Sequence, residues 1–253
     1  MSPFWPVFTL WQRELSRFYR DRSRLIGALA PPVVFWLLLG LGLGDSFRAP
    51  GGSMNFLQYF FSGTLVLIVL FTSVFSTISI IEDRREGFLQ SVLVAPLSRL
   101  SLVCGKIFGA STVGFLQGLT FLALAAPAGL HPGAAGFALA ASALLLASLG
   151  LTGIGFCIAW KLDSTQGFHA VMNLFLIPMW MLSGSLFPIS TAPRWLGWVM
   201  KANPVTYAVA CLQHAMGAPA AAALPPVGRC LLALALFAAG ATLASAWVAR
   251  ASE

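Results

Sequence analysis

The charged residues of this chain concentrate in one stretch, EDRREGFLQSVLVAPLSRLSLVCGK, which runs from Glu82 to Lys106. Mixed charge at this density offers ionic docking to a partner surface. Both flanks are apolar: residues 56–81 carry no charge, and the next Lys or Arg after Lys106 is Lys161. A charged side chain deep in a bilayer costs at least about 2.5 kcal/mol. The stretch is therefore expected to lie in water, at a membrane surface.

Within this stretch, apolar side chains recur at spacings of three and four, which predicts a short amphipathic helix over residues 84–98. Phe88, Val92 and Ala95 form the stripe with Leu89 and Leu93, and Pro96 ends the helix. A plain connecting loop is the alternative. The helical periodicity, the mixed charge and the proline stop favour a docking element for a cytoplasmic partner.

The elements that hold this helix are predicted from composition. The 253-residue chain is 58% hydrophobic and 9% charged, whereas soluble domains are about 25% charged. Its apolar runs are continuous rather than alternating, which favours membrane-spanning helices over a closed barrel. The expected class is an all-α membrane protein with six transmembrane helices. We predict these spans at 25–44, 56–81, 102–126, 136–160, 168–187 and 227–248.

Two further segments are predicted to lie at the membrane interface. Residues 4–22 carry aromatic and aliphatic side chains on one helical face and arginines on another, as in an interfacial helix; a soluble amphipathic helix is the alternative. Residues 188–226 are too polar and broken to span but are rich in Trp and Tyr. We predict short outer helices there, with a simple extracytoplasmic loop as the alternative.

The distribution of basic residues predicts the orientation. With the N-terminus inside, the inner side receives 11 of the 15 Lys and Arg residues, including those of the stretch from Glu82 to Lys106. Both termini are then cytoplasmic, in the inner (plasma) membrane. This placement also accounts for the net charge of +7 without nucleic acid, since no basic run with interleaved aromatics forms a soluble surface for phosphates.

Sequence patterns of enzymes and pumps are missing. There is no GxxxxGK[ST] loop and no HExxH motif, and the predicted spans hold no paired carboxylates. His169 is expected at the inner surface, and Ser183 and Ser185 have no His on span six to form a protease site. The four cysteines lack metal-ligand spacing, and a disulfide between Cys211 and Cys230 stays open.

Three segments together resemble the permease subunits of ABC-2 type transporters. LWQRELSRFYRDRSRLIGALAPPVVFWLLLGLGLG is similar to the family's connecting helix and first span. YFFSGTLVLIVLFTSVFSTISIIEDRREGFLQSVLVAPLSRLSLVCGK and LSGSLFPISTAPRWLGWVMKANPVTYAV resemble its two typical blocks. Each motif is degenerate, but their joint order is specific, and the likeness covers essentially the whole chain.

The resemblance implies a dimeric permease that exports an amphipathic or lipid-linked substrate. It pairs with two cytoplasmic ATPase subunits, which bind ATP and Mg²⁺; this chain itself binds no cofactor. The helix at 84–98 is then the coupling helix, and 188–226 is a re-entrant outer segment. The residues expected to couple to the ATPase are Glu82, Asp83, Arg84, Arg85, Glu86, Gly87, Pro96, Arg99 and Lys106.

By the same resemblance, substrate passes between two copies along spans one, two and five. The apolar candidates for lining that path are Phe56, Tyr59, Phe60, Phe61, Phe175, Met179, Trp180 and Met181, with packing or lipid contact as the alternative. Two other functions stay open. An ion-gradient-driven transporter needs a buried acid or His in the spans, and an intramembrane enzyme needs a catalytic pair.

Overall fold

A computed structural model describes residues 4–43, 54–88, 91, 98–189, 192–218 and 224–251. These residues form helices and turns without a strand, which confirms the all-helical class for the described part of the chain. The predicted loop at residues 45–53 lies outside it, and so do Pro96 and most of the predicted docking helix.

Ten α-helices are described, and a π-helical turn, Met181–Ser185, follows the seventh. In chain order they are α1 Phe4–Arg20, α2 Arg22–Gly42, α3 Phe56–Ser76, α4 Ile78–Arg85, α5 Arg99–Leu122, α6 Ala134–Lys161, α7 Thr165–Trp180, α8 Arg194–Ala202, α9 Pro204–Ala215 and α10 Val227–Arg250.

Five helical segments of the described chain are long and apolar enough to cross a membrane: Phe56–Arg85, Arg99–Leu122, Ala134–Lys161, Thr165–Ser185 and Val227–Arg250. They correspond to five of the six predicted spans. The predicted span at 25–44 falls on α2, whose apolar part Ile26–Gly42 is shorter than these five.

Local capping explains where several helices begin. Asn55 accepts a hydrogen bond from the backbone N–H of Gln58, whose side chain bonds back to Asn55 and completes a capping box at the start of α3. Ser98 and Ser164 cap α5 and α7 in the simpler way, through one side-chain acceptor each. A polar residue thus fixes the point at which each of these chain segments becomes helical.

The core is built around α3, which is buried along almost its whole length. Close helix approaches occur at small residues: a Cβ at Gly155 would lie 2.8 Å from Thr77, and one at Gly153 would lie 2.7 Å from Ala241. Such residues let helices in a membrane pack backbone to backbone. α3 therefore forms the centre of the core, and the other helices pack around it.

The end of α7 is held by hydrogen bonds rather than by continued helix. Gly184 has a φ of +85°, a left-handed conformation that favours glycine. Tyr59 Oη donates to Gly184 O at 2.8 Å, and Trp180 Nε1 donates to Gly63 O at 2.8 Å. Beyond it, α8 leaves Trp195 and Trp198 exposed, whereas α9 is buried against α3, α6 and α10.

Candidate functional site

A buried ion cluster lies where α1, α4 and α5 meet. The carboxylate of Asp83 on α4 is fully buried and accepts hydrogen bonds from Arg13 Nη1 at 2.8 Å and Arg13 Nη2 at 2.7 Å. Arg17 Nη1 lies 3.1 Å from the same carboxylate, and Lys106 Nζ also donates to it. The hydrogen bond to Asp83 raises the pKa of Arg13 above its ordinary value. A bidentate arginine and two further cations thus neutralise one acid.

Lys106 on α5 is the second buried member, with 3% of its surface exposed. Besides Asp83, its Nζ contacts Glu14 Oε1 at 2.5 Å and Ser79 Oγ at 3.2 Å. α1 and α5 can approach closely because the glycines of α5 have no Cβ at the contact. A Cβ at Gly105 would meet Leu10, and one at Gly109 would lie 2.6 Å from the Cβ of Glu14. Glycines on α5 therefore bring Glu14 within reach of Lys106.

The expectation that the whole charged stretch lies in water is wrong for Asp83 and Lys106. Burial of these charges is tolerated because the N-terminal helix supplies partners of opposite sign from about 70 to 92 positions away. Leu10, Glu14 and Phe18 form the buried face of α1, so this face includes an acid and not only the predicted aromatic and aliphatic side chains. The sequence places Arg13 and Arg17 four residues apart, on one side of a helix, but it does not indicate which acid they bind.

Two arginines of the same stretch bind the end of α6. Arg84 Nη2 donates to Trp160 O at 2.5 Å, and Arg84 Nη1 contacts Leu162 O at 3.2 Å and Asp163 Oδ1 at 2.8 Å. Arg85 Nε donates to Asp163 O at 3.0 Å. Cations at a helix C-terminus satisfy its unpaired carbonyls and its dipole. These contacts connect α4 to the turn between α6 and α7.

Arg99, at the start of α5, makes the equivalent contact to α10. Its Nη1 donates to Ala249 O at 3.1 Å, next to the C-terminal end of that helix. The charged stretch thus connects α1, α5, α6 and α10 at one end of the bundle. We call this set of ion pairs and helix-end contacts the polar junction.

Two exposed charges of the polar junction lie at the end of α4 and in the turn that follows it. The Glu86 side chain is 61% exposed and reaches Arg17 only at 3.7 Å, and Arg85 is exposed apart from its contact to Asp163 O. Gly87 follows with a φ of +75°, which turns the chain, and Arg13 lies 3.8 Å above the ring of Phe88. Arg85 and Glu86 therefore form the outward face of the polar junction.

An apolar groove of about 670 Å³ opens beside the junction, between α2 on one side and α3 and α7 on the other. Its volume is that of a small-molecule site. Its aromatic lining comes from five different positions of four helices. The lining residues are Phe18, Gly27, Ala28, Pro31, Pro32, Phe35, Leu67, Phe71, Thr72, Phe75, Ser76, Ile78, His169, Ile177 and Trp180.

Of the residues predicted from the sequence to line a path, Trp180 lies on this groove. Phe56, Tyr59 and Phe60 are buried inside the protein, where Phe60 packs on Phe56 and Trp180. Phe175 is exposed on α7 away from the groove lining. Phe61 is also buried, Met181 is exposed, and Met179 is half-buried, with its carbonyl accepting from Asn203 Nδ2 at 2.6 Å.

The sequence did not identify the groove residues Phe18, Phe35 and Phe75, because their proximity depends on helix packing. Pro31 and Pro32 are a signal in the sequence that points to this groove, since they interrupt the backbone hydrogen bonds of an otherwise apolar helix. His169, expected at the inner surface, is exposed at one end of the groove and packs on Phe75 with ring centroids 4.7 Å apart.

The remaining candidates for chemistry pair with each other or with the backbone. Ser183 and Ser185 hydroxyls lie 2.6 Å apart, and Ser183 also donates to Trp180 O. Cys211 and Cys230 are free thiols. Within the described ranges, no group of His, Cys, Asp and Glu side chains is arranged to hold a metal ion.

Comparison with known proteins gives a consistent result. The family model described as ABC-2 type transporter matches residues 6–216. The putative transport permease ycf38 of Cyanophora paradoxa is 29% identical over 206 residues, which are 80% of this chain and 71% of that protein. Nodulation protein J of Sinorhizobium fredii is 25% identical over 221 residues, 84% of this chain and 81% of that protein.

A third similar protein is the probable multidrug ABC transporter permease YbhR of Escherichia coli strain K12. It is 28% identical over 132 residues, which are 52% of this chain and 36% of that protein. The similarity to YbhR thus covers about half of this chain and little more than a third of the relative.

Proposed function

The chain belongs to the ABC-2 type transporter family, and from this premise we propose that it is the membrane subunit of an ATP-driven exporter. A separate cytoplasmic ATPase hydrolyses ATP with Mg²⁺, and this subunit provides the path. In this proposal the chain binds no nucleotide, and its own work is to convert motion of the ATPase into movement of its helices.

The polar junction is the observation that carries this proposal. Arg85 and Glu86 are the exposed charged residues at this turn, while the two residues that precede them, Asp83 and Arg84, are bonded to other helices. A partner that pulls on the turn therefore acts on α1, α5 and α6 together, because the connecting ion pairs are partly or wholly shielded from water. Glu82, Gly87, Pro96, Arg99 and Lys106 belong to the same proposed coupling element.

We further propose six spans, with α2 as the first, and both termini on the cytoplasmic side of the inner membrane. α1 then lies along the inner surface, and α8 and α9 form a re-entrant outer segment. The exposed Trp195 and Trp198 of α8 support an interfacial location there, since tryptophan favours the headgroup region. The polar junction faces the cytoplasm in this orientation.

The proposed partners are a second copy of the chain, lipids, and the ATPase. Two of the helices that border the groove expose large apolar side chains, including Leu38 and Leu41 on α2 and Leu174 and Phe175 on α7. A second copy or lipid would cover these faces. The groove then becomes part of a path for an amphipathic or lipid-linked molecule, and we propose export as the direction of transport.

An ion-gradient-driven transporter is the alternative. Its mechanism needs an acid or a histidine that gains and loses a proton within the bundle. The buried acids here, Asp83 and Glu14, are each held by a cation at hydrogen-bond distance, which favours a structural ion cluster over a proton carrier. An intramembrane enzyme receives less support, since the Ser183 hydroxyl is bonded to Ser185 and to a backbone carbonyl.

A disulfide cross-linking experiment tests the ATPase partnership. Glu86→Cys, in a background without the four native cysteines, is co-expressed with a candidate P-loop ATPase subunit from the same organism, itself carrying single cysteines across its surface. We expect a cross-link from Glu86→Cys to one patch of the ATPase and none from the control Trp198→Cys on α8. Purification without an ATPase, together with full transport by the chain alone in liposomes, would overturn the proposal.

A further inference from the structure

The groove is bordered by two backbone carbonyls of α2 whose usual helical donors, four residues further on, are prolines. α2 is helical from Arg22 to Gly42 and includes Pro31 and Pro32. Proline has no amide hydrogen, so the helical bonds from residue 31 to the carbonyl of Gly27 and from residue 32 to that of Ala28 cannot form. Two consecutive carbonyls on α2 therefore lack their helical donors.

Both of these residues line the groove. Gly27 and Ala28 belong to its surface together with the two prolines, and Gly27 has no side chain to cover the backbone. A Cβ built at Gly27 meets nothing within 4 Å among the described atoms. A buried or lipid-facing carbonyl without a donor costs free energy. A ligand that donates a hydrogen bond to such a carbonyl therefore binds more tightly, because the bond offsets this cost.

The rest of the lining selects the charge of that donor. The described residues of the groove include no Asp, Glu, Lys or Arg, and aromatic rings contribute much of its wall. Carbonyl oxygens and the faces of aromatic rings both attract cations, and a carboxylate or phosphate would find no Lys or Arg side chain among the described lining residues. His169, packed on Phe75, is the titratable side chain among these described lining residues.

We propose that this groove binds amphipathic amines, with the protonated amine at the carbonyls of Gly27 and Ala28. The apolar body then extends along Phe71 towards Phe35 and Trp180, whose ring centroids lie 6.3 Å apart at the other end. This inference rests on the proposed function only in naming the groove as the substrate path. The two prolines are the positioning residues, and their role is to keep the carbonyls free.

Binding of a matched set of probes tests the proposal. The full chain, in phosphatidylcholine nanodiscs, is titrated with a dansyl-tagged long-chain primary amine, its trimethylammonium analogue and its carboxylate analogue. The saturable part of the dansyl emission gives each Kd. We expect the primary amine to bind about tenfold more tightly than the other two, because only it donates hydrogen bonds to the carbonyls.

The double substitution Pro31→Ala and Pro32→Ala restores both amide hydrogens. It is expected to weaken binding of the primary amine about tenfold and to leave the trimethylammonium probe unchanged. Pro178→Ala is the matched control: it removes a helix-interior proline whose freed carbonyl, that of Leu174, is not part of the groove lining. Retained melting temperatures show that each variant is folded.

Equal affinity of the wild-type chain for all three probes would overturn the assignment, as would an unchanged primary-amine Kd in the double variant. These outcomes are independent of the ATPase, which is absent from the assay. Loss of the amine preference with intact ATPase coupling removes only the proposed ligand class. Intact amine binding without any ATPase partner removes only the proposed function.

Discussion

Lys106 on α5 and Glu14 on α1 meet at 2.5 Å although 92 positions separate them in the chain, and both side chains are almost fully buried. This contact, together with the one from Lys106 to Asp83, joins the N-terminal helix to the bundle. Because of these contacts, the charged stretch after α3 is a junction of several helices and not a surface loop.

Removal of the buried cation is expected to be strongly destabilising. Lys106→Met leaves Glu14 with only the 3.7 Å contact to Arg13 among the described residues and Asp83 with one cation fewer, and loss of one partner of a buried ion pair costs about 3 kcal/mol. We expect a clear fall in the melting temperature of the purified chain. Lys201→Met, at an exposed position on α8, is the control and should leave the melting temperature unchanged. Equal melting temperatures for both variants would contradict a stabilising junction.

The close approach of α1 to α5 gives a second prediction. In Gly109→Ala the added Cβ would lie 2.6 Å from the Cβ of Glu14, so α1 must move away or the side chain must shift. We expect about 1–3 kcal/mol of destabilisation, typical of overpacking, and faster proteolysis after α1. Gly240→Ala on α10, where nothing lies within 4 Å, should be neutral or slightly stabilising. Identical behaviour of the two variants would show that α1 does not pack here.

Loss of the arginine at the end of α6 should have a local effect. Arg84→Ala removes contacts to Trp160 O, Leu162 O and Asp163, which together are worth roughly 2 kcal/mol. We expect faster hydrogen exchange of amides around residues 160–165, with little change in α10. Arg85→Ala, which removes one contact to Asp163 O, is the matched control with a smaller effect. Unchanged exchange in both would rule out this capping role.

Much of the fold was predictable because its signals are local. Uncharged runs of about 20 residues mark helices that can cross a bilayer, and the runs ending near Arg85, Lys161 and Arg250 all correspond to observed helices. The charged stretch was also recognisable, because mixed charge between two such runs is unusual. The described apolar segment of α2, Ile26–Gly42, likewise falls within the first predicted span.

The tertiary partners were not predictable from these local signals. Nothing near Asp83 in the sequence indicates that Arg13 will bind it, because the pair depends on how α1 packs against α5 at Gly105 and Gly109. For the same reason Tyr59 and Phe60 were predicted to line a path, whereas they pack in the core. Aromatic composition alone does not distinguish a groove from a core, since both are apolar.

The most direct test of the account is coupling across the exposed turn. Glu86→Lys reverses the charge of a side chain whose ion pair to Arg17, within the described part of the chain, is 3.7 Å long, so the fold should be retained. The complex with the proposed ATPase, reconstituted in proteoliposomes, is assayed for ATP hydrolysis and for transport of a fluorescent amphipath across the vesicle membrane, with Lys201→Glu as the matched charge reversal on α8. The account predicts that Glu86→Lys loses substrate stimulation and most export while Lys201→Glu keeps both. Wild-type stimulation and export in Glu86→Lys would contradict it.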